Sequence, residues 1–406
     1  MGHEESLLLV THVPMRKGPR GWQIDDQTAA GIAQWRQHFG RVTFCGVDHG
    51  DAGAGSASWV DADGGVEDGT IHIVALPWAY RLGAMARHVK AVRAQLAPLV
   101  AQHRHLCFTI GGLVGDWPAL AAQEAIGQKR AYAAWIDRVE ASVLRNKVAD
   151  APFPRRLAAA AMAPAMEAWT RHLLRHSRVA LLQGRDTFDH YARHAPDPHC
   201  TYDTHTHATD QIDAAALAAK QAHVASGAPL RIVYVGRAAA MKGPSDWIDV
   251  LERLDKAGVP FTARWIGDGP DLAAMRSRVA ASGLGDRVDL PGFEGRRDVL
   301  LAALRDSDML LFCHRTAESA RCLIEALVSG CPIIGYDGGY PRGLVERHGG
   351  GLFVPPADST ALADRIAALH ADRAAMVALL GAAAQSGTLY TEDALYAHRA
   401  ELMRRG

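Results

Sequence analysis

Two cations stand close together where an apolar run of the sequence ends. Arg237 and Lys242 follow LRIVYV, residues 230–235, and Gly236 and Gly243 flank the pair. The apolar run predicts a buried strand, and the apolar spacing in PSDWIDVLERLDK predicts a helix after it. Unpaired N–H groups at a helix amino terminus favour an anion, and arginine and lysine supply charges that suit phosphate oxygens. The sequence therefore predicts a phosphate site, with a solvated loop carrying two ordinary surface cations as the alternative.

Two glutamates occupy the segment ESARCLIEALVSG. Glu318 stands at a predicted strand-to-helix turn, and Glu325 follows seven residues later. Seven helical residues nearly complete two turns, about 10 Å of rise, so we expect both carboxylates on one side of a helix. Leu323 and Ile324 precede Glu325, and such apolar neighbours are unusual for a solvated acid. A ligand-binding pair is one interpretation, and a pair of solvated helix glutamates is the other.

Strands and helices alternate through most of the chain. In the second half the strands LRIVYV, FTARWI, RVDLPGF, MLLFC and PIIGY are separated by helical segments, and the first half repeats this order less regularly. Such alternation predicts an α/β protein with parallel sheets covered by helices on both faces. Residues 195–215 lack an apolar rhythm and are rich in Pro, Asp, His and Thr. We expect the link between two domains there, and a cleft lined by the carboxyl ends of strands.

The composition narrows the class of protein. The chain has 406 residues, enough for two domains, and its 44 basic residues balance 44 acidic ones. This balance argues against a nucleic-acid partner held by a bulk positive field. The six cysteines are scattered without a C-x-x-C pair, and the acidic start MGHEESLLLVTHVP is unlike a signal peptide. No apolar run has the length of a membrane span. We expect a cytoplasmic protein, either free or peripheral at the inner face of the membrane.

Four motifs occur in a fixed order between residues 236 and 335: GRAAAMKG, GDGP, PGF and ESARCLIEALVSGCPIIG. Together they resemble the retaining, nucleotide-sugar-dependent glycosyltransferases of the GT-B fold, in the large glycosyl transferases group 1 family. Most members place the two glutamates one residue further apart. The shorter form E-S-x-R-x-L-I-E-A is similar to a subgroup of bacterial surface-polysaccharide enzymes.

The resemblance implies a fold and a division of the chain. It implies two Rossmann-like parallel-sheet domains that face each other across a cleft. Residues 1–205 would bind the acceptor and residues 206–388 the nucleotide sugar. Residues 389–406 would form a helix that packs back on the first domain.

The resemblance also implies roles for residues around the donor. Arg237 and Lys242 would hold the diphosphate and stabilise the charge that develops on it as the anomeric bond breaks. Glu325 would bind the ribose hydroxyls, and Glu318 would contact hydroxyls of the transferred sugar. Transfer would retain the anomeric configuration, and the leaving phosphate is one acceptor for the proton of the incoming hydroxyl.

Further donor contacts are implied at backbone and loop positions. N–H groups near Arg321 and Cys322 would touch the phosphates, and Gly267 and Phe293 would lie in loops that frame the base. The resemblance leaves the base and the sugar open between a UDP-sugar, which we favour, and GDP-mannose.

The first half supplies fewer candidates. Gly21, in MRKGPRGW after the first strand, stands where the family carries a glycine-rich loop facing the phosphates, although the usual double glycine is missing. Asp137 stands where many relatives have a histidine that touches the donor sugar. It would orient the sugar or accept the acceptor's proton, or it forms a local ion pair with Arg138. The basic helix of residues 79–100 either contacts anionic lipid or presents an ordinary solvated face.

No metal cofactor is expected. His205 and His207, beside Asp203, have a metal-like spacing but lie in the presumed link, and the pairs Asp61/Asp63 and Asp306/Asp308 lack the expected setting. The expected partners are the nucleotide-sugar donor and a sugar, lipid-linked or other hydroxyl acceptor. A nucleotide-sugar epimerase of the same fold, a silent nucleotide-sugar binder and a metallohydrolase are the alternatives.

Overall fold

A computed structural model describes residues 5–50, 58–62, 69–148 and 152–405. The chain divides into two compact units. The first unit comprises the residues up to Tyr202 together with those from Leu395 onward, and the second comprises Asp203–Ala394. Asp63, one of the aspartates considered for a metal, lies outside the described residues.

The first unit is built on a parallel sheet with helices around it. Its strands are β1 Ser6–Lys17, β2 Trp22–Asp25, β3 Arg41–Asp48, β4 Trp59–Asp61, β5 Ile71–Pro77, β6 His105–Thr109, β7 Ala133–Ile136, β8 Val179–Gln183 and β9 Pro198–Thr201. Its helices are α1 Asp26–His38, α2 Leu82–Gln102, α3 Trp117–Gly127, α4 Glu140–Lys147, α5 Phe153–His176 and α6 Gly184–Tyr191.

The parallel strands of the first unit run in the order β5-β3-β1-β6-β7-β8-β9. Chain order therefore proceeds outward from β1 in one direction and then resumes at β6 in the other. The two halves diverge between β1 and β6, which is the position where ligands bind in open α/β sheets, beside the carboxyl ends of the strands. The far end of β1 leaves the parallel sheet and pairs antiparallel with β2.

The second unit repeats this plan. Its strands are β10 Leu230–Val235, β11 Phe261–Ile266, β12 Val288–Gly292, β13 Met309–Phe312, β14 Ile333–Tyr336 and β15 Gly351–Val354. Its helices are α7 Ala214–Ala225, α8 Pro244–Lys256, α9 Leu272–Ala281, α10 Arg297–Asp306, α11 Arg321–Val328, α12 Gly339–Val345, α13 Ser359–Ala371 and α14 Arg373–Gly387. The strand order is β12-β11-β10-β13-β14-β15, all parallel. The corresponding crevice lies between β10 and β13.

The last helix, α15 Glu392–Arg404, begins in the second unit and continues into the first. Its contacts with the first unit are specific. Tyr396 packs edge-on against Trp35 with ring centroids 4.8 Å apart, and the Arg399 guanidinium lies 4.4 Å from the Trp135 ring centroid. Arg399 is 1% exposed and donates to the Tyr202 carbonyl, so a buried cation anchors the end of the chain.

The structure adds detail to two segments that the sequence analysis considered. The presumed link of residues 195–215 is partly sheet, because Pro198–Thr201 forms β9 and pairs with β8. Its polar composition reflects an edge strand rather than an unstructured linker. The basic helix α2 buries its apolar side, with Val92, Leu96 and Val100 each at most 1% exposed, so those residues serve the core.

A helix that spans a membrane must be both long and apolar. Among the described residues, no single helix is long and apolar enough to cross a bilayer. One pair of helices reaches the required length and hydropathy when taken together, Ser359–Ala371 and Arg373–Gly387, and this pair is bent by 104°.

Candidate functional site

The crevice of the second unit is formed by the loops that follow β10 and β13. The two loops are tied together, since Arg315 N–H donates to the Met241 carbonyl at 2.9 Å. Gly243 has a left-handed backbone with φ of 64°, and a Cβ there would lie 2.1 Å from the Cys313 carbonyl oxygen. Only glycine allows this close approach, and it directs the chain into the amino terminus of α8.

Lys242 and Glu318 meet in this crevice. Lys242 Nζ lies 2.6 Å from Glu318 Oε1, and the two side chains are 15% and 18% exposed. The sequence predicted a role for each residue but did not predict that they would pair. The ammonium is balanced by a carboxylate, so a phosphate that reaches Lys242 meets a pair with almost no net charge.

Glu318 is not on a helix, which corrects the expected geometry. It lies in the loop between β13 and α11, and α11 begins only at Arg321. The seven-residue spacing therefore does not place the two glutamates on one helical face. Glu318 is positioned by its loop and Glu325 by α11.

His314, which the sequence analysis did not single out, lies against Glu318, and Tyr234 contacts His314 in turn. His314 Nδ1 lies 3.3 Å from Glu318 Oε1, and its Nε2 lies 2.8 Å from the Tyr234 hydroxyl. Burial, and secondly Lys242, lower the pKa of His314 well below its ordinary value, while burial raises the pKa of Tyr234. The imidazole is therefore neutral and the phenol protonated. His314 directly follows the predicted strand MLLFC, and that position was the available signal.

Glu325 lies near the middle of α11 and is half-buried. Among the described residues, none hydrogen-bonds or pairs with its carboxylate. Burial raises the pKa of Glu325, and the nearby cations Arg297 and Arg321 offset this only in part. A carboxylate in this position lacks the hydroxyl or N–H partners that a buried acid requires.

The amino terminus of α11 lacks a side-chain cap at Ala320. Its first residues are Arg321 and Cys322, so their N–H groups are among those without partners in the helix. The Arg321 side chain pairs with Asp203 at 2.7 Å, and burial raises the pKa of the Cys322 thiol to about 12. Backbone amides, rather than these side chains, are thus the groups suited to an anion.

The remaining second-unit candidates lie at strand ends. Gly267 follows β11, and a Cβ there would lie 2.0 Å from the Gly236 carbonyl oxygen, so close strand packing requires a glycine. Phe293 follows β12 and is 77% exposed, so its ring face is accessible for stacking with a nucleotide base. Arg237 is exposed, and no carboxylate of the described residues pairs with it.

The first-unit candidates lie on separate features. Gly21 is in the turn between β1 and β2, where the Gly18 N–H donates to its carbonyl at 2.7 Å. This turn leads to the strand β2, and a Cβ at Gly21 would meet nothing within 4 Å. Asp137 is exposed at the carboxyl end of β7. Arg138 pairs with Glu140 at 2.7 Å.

The histidines and aspartates with metal-like spacing have other partners. His205 Nδ1 lies 3.2 Å from Glu392, and Asp308 pairs with Arg231 at 2.8 Å. Asp61 pairs with Arg20. Across the described ranges, no group of three or more His, Cys, Asp or Glu side chains has the geometry of a metal site.

Comparisons with known proteins address the family and the fold. A family model described as Glycosyl transferases group 1 matches residues 218–386. WcaL of Escherichia coli (strain K12), named as a glycosyltransferase of colanic acid biosynthesis, is 34% identical over 151 residues, covering 36% of this chain and 37% of WcaL. A 2-deoxystreptamine N-acetyl-D-glucosaminyltransferase of Streptomyces fradiae is 35% identical over 141 residues, covering 34% and 33%. The matches span little more than a third of these relatives.

The solved structure of Anabaena HepE in complex with UDP matches at a TM-score of 0.66 and 14% identity, covering 98% of both chains. At this identity the likeness shows the fold. Residues 218–386 therefore match the glycosyl transferases group 1 family, and the chain has the GT-B fold that the resemblance implied.

Proposed function

We propose that this chain is a glycosyltransferase that moves a sugar from a nucleoside-diphosphate sugar to a hydroxyl acceptor in bacterial polysaccharide, glycolipid or glycoconjugate biosynthesis. The observation that carries the proposal is the Lys242–Glu318 pair of 2.6 Å at the crevice between β10 and β13. An ammonium for the phosphate and a carboxylate for sugar hydroxyls stand side by side where this fold class binds its ligands.

The donor site is assigned as follows. Lys242 and Arg237 hold the diphosphate, and the amides at the start of α11 add further donors. The charge that develops on the leaving phosphate meets groups already in place, which is how preorganised cations accelerate such a step. Glu318 contacts the sugar, and Glu325 satisfies its unpaired carboxylate with ribose hydroxyls. Gly267 and Phe293 frame the base.

The stereochemistry of transfer, the identity of the donor and the absence of a metal requirement are inferred from the family resemblance. Retention of configuration follows from it, with the leaving phosphate as a route for the acceptor's proton, and Asp137 and Gly21 are the candidates that it implies in the first unit. A UDP-sugar is favoured over GDP-mannose, and the UDP bound to HepE supports this choice. All six cysteines are free thiols, which supports a cytoplasmic location. The family's chemistry supports transfer without a metal.

A ligand and turnover series tests the proposal. Because a ligand that binds the native state raises the melting temperature, UDP should shift it more than GDP or ADP at equal concentration. The protein should then consume a UDP-sugar faster when an extract containing acceptors is added, and proton NMR of the product should show the donor's anomeric configuration. Release of an altered free sugar without acceptor would identify an epimerase. Binding without turnover in any extract would identify a silent binder.

A further inference from the structure

The first unit has its own crevice between β1 and β6, where its strand order diverges. The parallel pairing of β1 with β6 ends at Val10 and Phe108. His12 lies two residues further along β1, and the segment from Gly111 to Asp116 follows β6 and leads into α3. In the second unit, the corresponding pair of loops carries Lys242 and Glu318. The first-unit crevice therefore occupies the ligand position of its own sheet.

Asp116 is fixed rigidly in this crevice. Its side chain is 1% exposed, and its Oδ2 accepts hydrogen bonds from the N–H groups of Gly111 at 3.0 Å and Gly112 at 2.6 Å. Its Oδ1 accepts from Ala119 N–H at 2.8 Å, which caps α3. The same Oδ1 lies 3.3 Å from His12 Nε2. A helix cap explains the Ala119 contact and the loop before α3 explains the two glycine contacts, but neither requires an imidazole at this position.

Asp116 contacts Nε2 of His12, which leaves the other ring nitrogen, Nδ1, with only a weak contact to a hydroxyl. Its side chain is 31% exposed, and its Nδ1 lies 3.5 Å from the Tyr80 hydroxyl, at the limit of a hydrogen bond. Since a carboxylate only accepts, Asp116 favours the tautomer with hydrogen on Nε2. Nδ1 then carries a lone pair that can accept a hydrogen bond from a hydroxyl.

The groups that face His12 are mostly acidic. They are Asp116, Asp137 at the end of β7, and Glu140 on α4, with the Tyr80 hydroxyl between β5 and α2. Burial lowers the pKa of His12, but these three carboxylates outweigh burial and hold it above its ordinary value of 6.5. Arg138 balances Glu140 at 2.7 Å. An anionic ligand would be repelled, whereas a hydroxyl group can donate to a carboxylate oxygen.

We propose that His12 binds the glycosyl acceptor, accepting a hydrogen bond through Nδ1 from a hydroxyl of an uncharged, polyhydroxylated molecule, and that Asp116 is the positioning residue that holds the imidazole. The word acceptor rests on the proposed function, but saccharide binding at His12 does not. The sequence analysis assigned no role to either residue, and the proposal moves the first-unit site from the hairpin of Gly21 to the β1–β6 crevice.

Direct binding to the full-length protein tests the proposal. The probes are the methyl α-glycosides of glucose, galactose and mannose, with glucose 6-phosphate as the anionic counterpart. The His12 imidazole resonance is assigned by its loss in His12→Phe. At least one methyl glycoside should shift this resonance in a saturable manner, and glucose 6-phosphate should bind more weakly. If none of the three shifts it at about pH 8, the proposal is wrong.

Variants separate a binding role from a structural one. His12→Phe keeps the ring shape but removes the lone pair, and should weaken glycoside binding about tenfold. His12→Asn retains a short polar group that can accept the hydroxyl, and should restore much of the affinity. Wild-type affinity should fall as the pH drops through the raised pKa of His12, and His12→Asn should lose that dependence. His49→Asn is the matched control, since His49 lies 6.0 Å from the Tyr80 ring but outside the crevice.

Transfer kinetics give the second readout. With the glycoside that binds, His12→Phe should raise the acceptor KM about tenfold and leave the donor KM unchanged. Equal glycoside affinity in wild type and His12→Phe would overturn the proposal. Calorimetry with UDP on the same proteins distinguishes the proposed function from the inference about His12. Failure to bind any nucleotide refutes the proposed function. UDP binding without a glycoside response at His12 refutes only this inference.

Discussion

Replacing Glu318 by glutamine should tighten the binding of bare UDP while it slows transfer. In the free protein Lys242 is paired with Glu318 at 2.6 Å, so a phosphate must share its cation with a fixed negative charge. Glutamine keeps the size and hydrogen-bonding capacity of the side chain and removes only that charge. The substitution therefore separates repulsion of the phosphate from binding of the sugar.

The size of the effect follows from the separation and exposure of the charges. Two unit charges about 6 Å apart interact by about 3 kcal/mol at an effective dielectric constant of about 20. The Glu318 side chain is 18% exposed, and water reduces the net repulsion to on the order of 1 kcal/mol, or roughly fivefold in Kd. Sugar contacts that strengthen in the transition state are lost at the same time, so the turnover number should fall on the order of 100-fold.

Calorimetry with UDP and single-turnover transfer from the UDP-sugar measure the two effects separately. Asp255→Asn is the control, because Asp255 also pairs with a cation, Arg287 at 2.7 Å, at the opposite end of α8. It should change neither quantity. Lys242→Met should weaken UDP binding, and the double variant should show that the two substitutions are not additive. A Glu318→Gln protein that binds UDP tenfold more weakly and transfers sugar normally would refute the assigned roles.

Three further predictions concern the same unit and its chemistry. Arg237→Ala should reduce transfer roughly 100-fold and leave the melting temperature unchanged. Arg253→Ala, at an exposed position on α8, should change neither the transfer rate nor the melting temperature. Near-normal turnover in Arg237→Ala would remove Arg237 from the site. Glu325→Gln should weaken UDP binding yet stabilise the free protein at pH 7 by on the order of 1 kcal/mol. Because burial raises the pKa of Glu325, that gain in stability should disappear below the pKa of an unfolded glutamate. Calorimetry measures the binding and melts between pH 4 and pH 7 measure the stability, and a loss of stability at pH 7 would contradict the argument. Transfer should survive excess EDTA, and strict dependence on Mn²⁺ or Mg²⁺ would show that the site needs a cation.

The sequence predicted the second unit well because its elements follow local rules. The runs LRIVYV, FTARWI and MLLFC became β10, β11 and β13 nearly to the residue, since buried parallel strands are continuous apolar segments bounded by glycine or polar residues. The loop that carries Arg237 and Lys242 also follows β10, where the sequence placed it. In both cases short-range signals determine the structure, and tertiary context only has to agree.

Loop geometry could not be predicted in the same way. Glu318 was assigned to a helical face from its spacing, yet α11 starts three residues later, after a loop that is tied to Met241 by a backbone hydrogen bond. Likewise, β1 continues past the parallel sheet into a hairpin, because Arg16 and Lys17 pair with β2. Both outcomes depend on contacts between segments far apart in sequence, and hydrophobic periodicity carries no information about them.

The two crevices show why chemistry differs where topology does not. Each unit brings together the loop after its central strand and the loop after the next strand across the divergence. In the second unit those loops carry an ammonium beside a carboxylate, with the exposed guanidinium of Arg237 and helix amides nearby, so the local charge favours an anion. In the first unit the glycine amides after β6 are already occupied by Asp116, so they cannot bind a phosphate. That difference in amide use, rather than in fold, is why we assign the charged donor to the second unit and an uncharged acceptor to His12 of the first.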